Sequence, residues 1–432
     1  MDVTLSKVDG IAMLDKFDPE MASLLHREEE RQRVTIGLIA SENIVSPLAS
    51  CLEGCVFTNK NTEGYPGKRF VGGCEYADAA EQLALKRLKE LFGCGHANIQ
   101  SGNATIANIA VLVALLKPGD TILSMTLSHG GHLSHGANFH FSGKNYKVVQ
   151  YGVSPATHLI DMDEIRRLAL ECKPQMIVCG ASSYPRLIDY KAFADIAHEV
   201  GAYLWADCAH TIGLIAAGAN PNPIPYADVV TFSTQKTLRG PRGCGVILCR
   251  EELGNKIDRG VFPRIQGGPK ADMLAARGVL FKECMTPEFK AYGAQVVKNA
   301  QALAKGCAEE GLVLITGGTD THMVMIDVTP VIENGQEAEV LLNSVGIVTN
   351  KNAIPFDRLP PAVGSGLRIG SPTMTTRGAK EEEMEHIGHL LGQTLKSRND
   401  PEQLKAIAAE VRAIAESHPM FADEWLPAAC KE

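Results

Sequence analysis

The stretch Asp228-Val-Val-Thr-Phe-Ser-Thr-Gln-Lys236-Thr-Leu-Arg-Gly-Pro-Arg242 runs from β-branched and apolar residues into small hydroxyl residues, one lysine and a Gly/Pro turn carrying two arginines. That order reads as a buried strand ending at a polar site. A lysine placed where such a strand runs out is desolvated, and desolvation lowers an ammonium pKa toward the neutral, nucleophilic amine. The competing reading is a lysine whose stem lies on the surface while its ammonium snorkels to water. The flanking chain separates the two.

Apolar runs at 121–125, 146–151, 175–181, 203–207 and 243–249 accompany helical patterns at 162–171 and 190–200. Together with 228–233 they predict an α/β fold whose large domain holds a mostly parallel sheet covered on both faces. Ligands of such sheets bind beyond the carboxyl ends of the strands. Ser182, Asp207 with His210, and Lys236 therefore fall along one edge. A strand-end aspartate and a strand-end lysine are the pair that pyridoxal phosphate chemistry needs. The lysine bonds the aldehyde, and the carboxylate keeps the pyridine nitrogen protonated so that the ring can accept electrons. A buried ionised aspartate is costly without a cation, and a pyridinium would supply one. Asp207 could equally serve as a helix N-cap.

On the N-terminal side, residues 19–33 predict an amphipathic helix, read as an arm for oligomer contacts. A polar, Gly-rich loop covers 59–76. It is not a Walker phosphate loop, because Gly67-Lys68 is followed by Arg69. Asp78-Ala-Ala-Glu81 reads as a capping box ahead of a helix closed by Gly93. Asn103, Ala104 and Thr105 open an apolar helix at 106–116, a candidate phosphate site. Beyond residue 269, helical stretches at 273–283, 287–310, 337–345, 380–395 and 401–417 surround short extended runs at 312–315, 322–328 and 365–370. The domain expectation is an arm at 1–40, a large α/β domain at 41–286 and a smaller C-terminal α+β domain at 287–432.

A formal net charge of −8 without a basic block argues against nucleic acid as a partner. The apolar run at 106–116 is too short to span a bilayer, and the first residues lack an apolar signal core. A soluble, cytoplasmic protein with twelve reduced cysteines is expected. His129, His132 and His135 share a spacing of three, but the intervening glycines and the lack of an acid nearby in sequence argue against a metal. Arg368, in an extended segment between glycines, is a candidate for bidentate carboxylate recognition.

Several strings together resemble the serine hydroxymethyltransferases, pyridoxal phosphate enzymes of fold type I. They are Leu38-Ile-Ala-Ser-Glu-Asn43, Glu63-Gly-Tyr-Pro-Gly-Lys-Arg69, Gly72-Gly-Cys-Glu-Tyr76, Ser128-His-Gly-Gly-His-Leu133, Lys236-Thr-Leu-Arg-Gly-Pro-Arg-Gly243, Phe262-Pro-x-x-Gln-Gly-Gly-Pro269 and Ser365-Gly-Leu-Arg-Ile-Gly370. The resemblance implies that Lys236 bonds the cofactor, Asp207 pairs with its ring nitrogen, Ser182 and His210 lie near its phenolic oxygen, and His132 stacks on the ring. It further implies that Ala104 and Thr105 hold the phosphate together with Gly267 and Gly268 of a second subunit. Ser41 and Arg368 would bind the substrate carboxylate. Glu63 from the neighbouring chain would serve the substrate hydroxyl and tetrahydrofolate, and Leu127, Gly131, Leu133 and Asn352 would line the folate site. A homo-oligomer with shared sites follows, acting on a small amino acid and folate.

The chain also departs from the family pattern. Asn61 and Val71 stand where the family has tyrosines, and Gln235 where it has a histidine. These changes open volume near the reacting carbon and point to α-methylserine as a substrate preferred over serine, with Asn61 at the substrate. A folate-independent aldolase and a homologue without catalysis are the alternatives.

Overall fold

The computed structural model describes residues 7–431; the first residues, read above for a signal core, lie outside the described residues. Seven strands form the central sheet: β1 (His96–Asn98), β2 (Thr121–Met125), β3 (Lys147–Tyr151), β4 (Met176–Cys179), β5 (Tyr203–Asp207), β6 (Val229–Ser233) and β7 (Gly245–Cys249). Their spatial order is β1-β7-β6-β5-β4-β2-β3. Every neighbouring pair is parallel except those made by β7, which runs antiparallel to both β6 and β1. The expected strand at 243–249 thus exists, with the opposite direction.

Alternation of side chains across the pleat explains why these strands are apolar throughout. Ile177, Leu204 and Val230 face one apolar cluster, while Val178, Trp205 and Val229 face another beneath helix Ala104–Leu115. Each such fully buried aliphatic side chain contributes about 2 kcal/mol.

The pattern of residues does not announce β1, which is three residues long and carries a histidine and an asparagine, nor helices Lys7–Phe17 and Gly254–Val261. The expected capping box at Asp78 and Glu81 is corrected. Helix Glu75–Phe92 begins earlier, at Cys74, and ends at Gly93 with φ 70° as expected. Asp78 and Glu81 instead grip Arg69, the former at 2.8 Å to Nε, and Glu81 also accepts the Gln100 amide at 2.7 Å. Carboxylates three apart share a helix face, so this spacing serves an arginine as readily as a helix start.

A second, antiparallel sheet follows: β8 (Val313–Leu314), β9 (Met323–Asp327), β10 (Asn350–Asn352) and β11 (Gly366–Gly370), in the order β8-β9-β11-β10. Of the expected segment 312–315 only two residues are strand, because the chain turns at Thr316 with φ 69°. This sheet shares an apolar cluster with helices Pro287–Glu309, Glu381–Lys396 and Pro401–Ser417. Ile36 and Leu38, from the segment read as an arm, belong to the same cluster, and Ile36–Gly37 pairs in parallel with Ile347–Val348. The Leu38 carbonyl accepts the Gly370 N–H at 2.7 Å, which fastens the chain leaving the second helix alongside β11. Among the described residues no helix is long and apolar enough to cross a membrane.

Arg377 ties two helix ends together. Its buried guanidinium donates to the carbonyls of Arg33 and Thr35 at the end of helix Pro19–Arg33, and to those of Ala415 and His418 at the end of helix Pro401–Ser417. Carbonyls at helix C-termini lack intrahelical partners and carry the negative end of the macrodipole. Arg377→Leu leaves them bare and is expected to destabilise the protein by about 3 kcal/mol, read as a lower urea midpoint at unchanged slope.

Candidate active site

The turn after β6 is closed by short bonds. Thr234 Oγ1 donates to the Pro241 carbonyl at 2.6 Å, and the Arg239 N–H to the Lys236 carbonyl at 3.0 Å. Arg239 adopts φ 65°, a left-handed conformation that a non-glycine residue enters at a cost. Its buried guanidinium lies 4.5 Å from the Tyr292 ring and 4.7 Å from Phe421, and this cation–π cage offsets the strain. Asn43 Nδ2 donates to the Lys236 carbonyl at 2.9 Å. Lys236 is thereby aimed into a cavity of about 210 Å³ lined also by Ala104, Thr105, His132, Ser182, Asp207 and His210. Burial lowers the Lys236 pKa to about 8; Arg368 and Arg242 push the same way, and Asp207 opposes. Its Nζ has Ser233 Oγ at 3.4 Å.

Asp207 ends β5 inside the same cavity. Its Oδ2 accepts Asn108 Nδ2 at 2.8 Å and His135 Nε2 at 2.9 Å, and its Oδ1 accepts the Ala209 N–H at 3.0 Å. The N-cap reading fails, since the next helix starts at Ile212 with Thr211 before it. Burial alone would raise this carboxyl, but the hydrogen bond and charge of His135 outweigh it and hold the pKa well below the usual carboxylate range. His132 Nδ1 lies 2.6 Å from Ser134 Oγ, which accepts Asn108 Nδ2 at 2.9 Å. Burial, with His135 and Lys236 nearby, brings the His132 pKa down to about 4 and keeps its ring neutral.

Asn108 and His135, which hold Asp207, were not assigned a role from sequence. Asn108 is a polar residue inside an apolar helix, and such a residue needs a buried partner. Sequence does not say which. The three histidines have no acid near them in sequence, yet the fold brings Asp207 within 4.8 Å of His132 and His135.

Asn103 accepts the Ile106 N–H at 2.9 Å and caps helix Ala104–Leu115. The first amides of that helix have no intrahelical acceptor and lie at the cavity wall, where an anion fits. A carboxylate, a helix N-terminus and an amine without a carboxylate bond thus line one cavity, as pyridoxal phosphate requires for its ring nitrogen, phosphate and aldehyde. Gln235 adds a buried Oε1 that lacks a hydrogen-bond partner.

A larger cavity of about 910 Å³ adjoins, lined by Leu127, Gly131, Leu133, Asn352 and Arg368; His132 and Ser182 line both. Arg368 donates to the Ser182 carbonyl at 2.9 Å, to Ser41 Oγ at 3.3 Å and to Asn350 Oδ1 at 3.2 Å. Ser41 owes its place to the fastening of residues 36–38 beside β11. Burial lowers the Arg368 pKa to about 10, and its hydrogen bonds go to neutral acceptors, which leaves it suited to a ligand carboxylate.

Besides Ser41, which reaches the site through its contact with Arg368, four predicted site residues line neither cavity: Asn61, Glu63, Gly267 and Gly268. They gather with one another instead. Asn61 Oδ1 accepts the Glu63 N–H at 3.0 Å, Asn61 bridges to Lys270, and a Cβ on Gly268 would lie 3.0 Å from Asn61 Oδ1.

The serine hydroxymethyltransferase family model matches residues 14–391. A relative from Coprothermobacter proteolyticus, described as a serine hydroxymethyltransferase, is 51% identical over 409 residues, covering 94% of this chain and 98% of the relative. With this match over nearly its whole length, the chain belongs to the serine hydroxymethyltransferase family, transferases that use pyridoxal phosphate and tetrahydrofolate.

Proposed function

We propose that this enzyme breaks the Cα–Cβ bond of a β-hydroxy amino acid, α-methylserine in preference to serine, and passes the one-carbon unit to tetrahydrofolate. The observation that supports the transfer is the pair of adjoining cavities that share His132 and Ser182, with room for a one-carbon acceptor beside its donor. Bound pyridoxal phosphate supplies the electron sink for the breaking bond. Lys236, with its lowered pKa, provides the neutral amine that captures the cofactor. Asp207, kept ionised, would hold a proton at the ring nitrogen, His132 would cover the ring, and Ser182 and His210 would serve its phenolic oxygen. Ala104 and Thr105 present amides to the phosphate. Arg368 and Ser41 would clamp the substrate carboxylate and so select which bond at Cα is set to break.

The preference for α-methylserine rests on Asn61, Val71 and Gln235 in place of two tyrosines and a histidine. The Asn61 side chain folds back onto the Glu63 N–H rather than reaching outward, and this favours open volume at Cα. A quaternary α-carbon has no proton to lose, and with its carboxylate held by Arg368 the Cα–Cβ bond is the one left to break. Glu63, Leu127 and Leu133 favour folate transfer over aldol release. The clustering of Asn61, Glu63, Gly267 and Gly268 away from Lys236 supports a homo-oligomer in which Glu63 of the partner subunit completes each site. Twelve cysteines without a disulfide support a cytoplasmic setting.

With tetrahydrofolate present, kcat/KM for α-methylserine is expected to exceed that for serine by about tenfold or more. Equal rates with and without folate would instead make the enzyme an aldolase, and the triple variant N61Y/V71Y/Q235H should move the preference toward serine. Cofactor capture by the cofactor-free protein should rise with pH to half its maximum near pH 8, because the neutral amine is the reacting form, and Lys236→Ala should show no lysine-bonded absorption band. Refolding a mixture of Lys236→Ala and Glu63→Gln chains should restore about a quarter of parental activity, since half the dimers are mixed and each holds one intact site. No recovery would place Glu63 in its own chain's site.

A further inference from the structure

After helix Pro401–Ser417 the chain leaves the apolar cluster of the second sheet. Ala422 and Trp425 join instead the cluster that holds Ile177 and Leu204 of the central sheet. Trp425 closes the turn Asp423–Trp425 and is buried, and its Nε1 donates to the Thr375 carbonyl at 2.7 Å. The Ala422 N–H donates to the next carbonyl, that of Thr376, at 2.9 Å. Lys380 Nζ lies 4.5 Å from the centre of the Trp425 ring and donates to Glu424 at 2.6 Å. Residues 421–425 thus form a strap fastened to the core of the central sheet.

Two chains of contacts lead from this strap to one atom, the carbonyl oxygen of Lys236. In the first, Trp425 meets the Tyr292 ring edge-on with centroids 5.7 Å apart. The Tyr292 hydroxyl accepts Asn43 Nδ2 at 2.7 Å, and the same Nδ2 donates to the Lys236 carbonyl at 2.9 Å. Thr376, whose carbonyl holds the strap, donates through Oγ1 to Asn43 Oδ1 at 2.7 Å and so orients the amide. In the second, the Phe421 ring lies 4.7 Å from the Arg239 guanidinium, and the Arg239 N–H donates to the Lys236 carbonyl at 3.0 Å. Nη1 of Arg239 is buried without a hydrogen-bond partner, so the ring faces of Phe421 and Tyr292 are what keeps this cation inside. Stripped of them it would turn toward water, and the left-handed Arg239 backbone would relax with it.

We propose that Phe421 and Trp425 are positioning residues: through Arg239 and Asn43 the C-terminal strap holds the backbone of the Lys236 turn, which keeps the amine inside its cavity. Lys236 as the reacting amine rests on the function proposed above; the hold of the strap on its backbone does not.

Acetic anhydride acylates the neutral amine alone, so labelling of the full-length, cofactor-free protein across pH, with the Lys236 peptide quantified by mass spectrometry, reads this residue directly. The groups facing the amine are Asp207, Arg368 and Arg242 with the rings of His132, His210 and His322, and none lies on the strap. Burial is the largest influence on its midpoint. Phe421→Leu keeps apolar volume but loses the ring beside Arg239, and Trp425→Ala breaks the route through Tyr292. In both variants the labelling midpoint, near pH 8 in the parent, should rise by about one unit as water reaches the amine. Phe421→Tyr, which keeps the ring, should stay at the parental midpoint. An unmoved or lowered midpoint in the leucine variant, even with a lower urea midpoint, makes the strap structural only and overturns the proposal. An equal rise in Phe421→Tyr also overturns it. Should Trp425→Ala not fold, Phe421→Leu and Phe421→Tyr decide between them. Added pyridoxal phosphate gives a parallel readout: a parent without an absorption band refutes the role of Lys236 proposed above, while the labelling midpoints still decide the strap.

Discussion

A carboxylate kept ionised inside the protein is the constraint on which the site depends. Asp207 sits at the end of a fully buried strand, where a lone charge would be protonated rather than tolerated. It remains an anion because Asn108, His135 and the Ala209 amide donate to it from three separate elements. Those donors fix where helix Ala104–Leu115 and the turn Leu133–His135 must pack. Through Ser134 the same network holds His132 over the cavity. The charge of Asp207 also restrains the fall in the Lys236 pKa, so the ammonium becomes a stronger acid without leaving the useful range.

Parallel pairing turns this local arrangement into a site. Because β4, β5 and β6 run the same way, Ser182, Asp207 and Lys236 leave the sheet on one edge although they are far apart in the chain. The antiparallel sheet then brings Arg368 across that edge, and residues 36–38, threaded into its core, carry Ser41 with them. His210 and His322 meet where the two sheets touch. Arg368 and the cavity of Lys236 are therefore carried by different sheets, with their relative position set by close packing between them.

Much of this was legible in the residue order. The strand 203–207 and the helix 401–417 coincide with their observed bounds, because both have an unbroken pattern closed by clear end signals. The Lys236 stretch reads correctly as a strand ending at a polar turn. Illegible features share a cause: each depends on a partner distant in sequence. Asp78 and Glu81 resemble a capping box until Arg69 is folded against them. β1 is too short and polar to stand out, and the direction of β7 follows from which edge the chain returns to.

The sequence by itself determined the fold class, the lysine, the aspartate and the family strings, because strand periodicity and local spacing are properties of neighbouring residues. Only the tertiary structure decided how those groups are held and charged. Desolvation and hydrogen bonding act through space, so the lowered pKa of Lys236, the ionised state of Asp207 and the pairing of His210 with His322 exist only once three elements have packed around each. The same holds for Asn61 and Glu63, which the family strings place at the site yet which do not line the cavity of their own chain's Lys236.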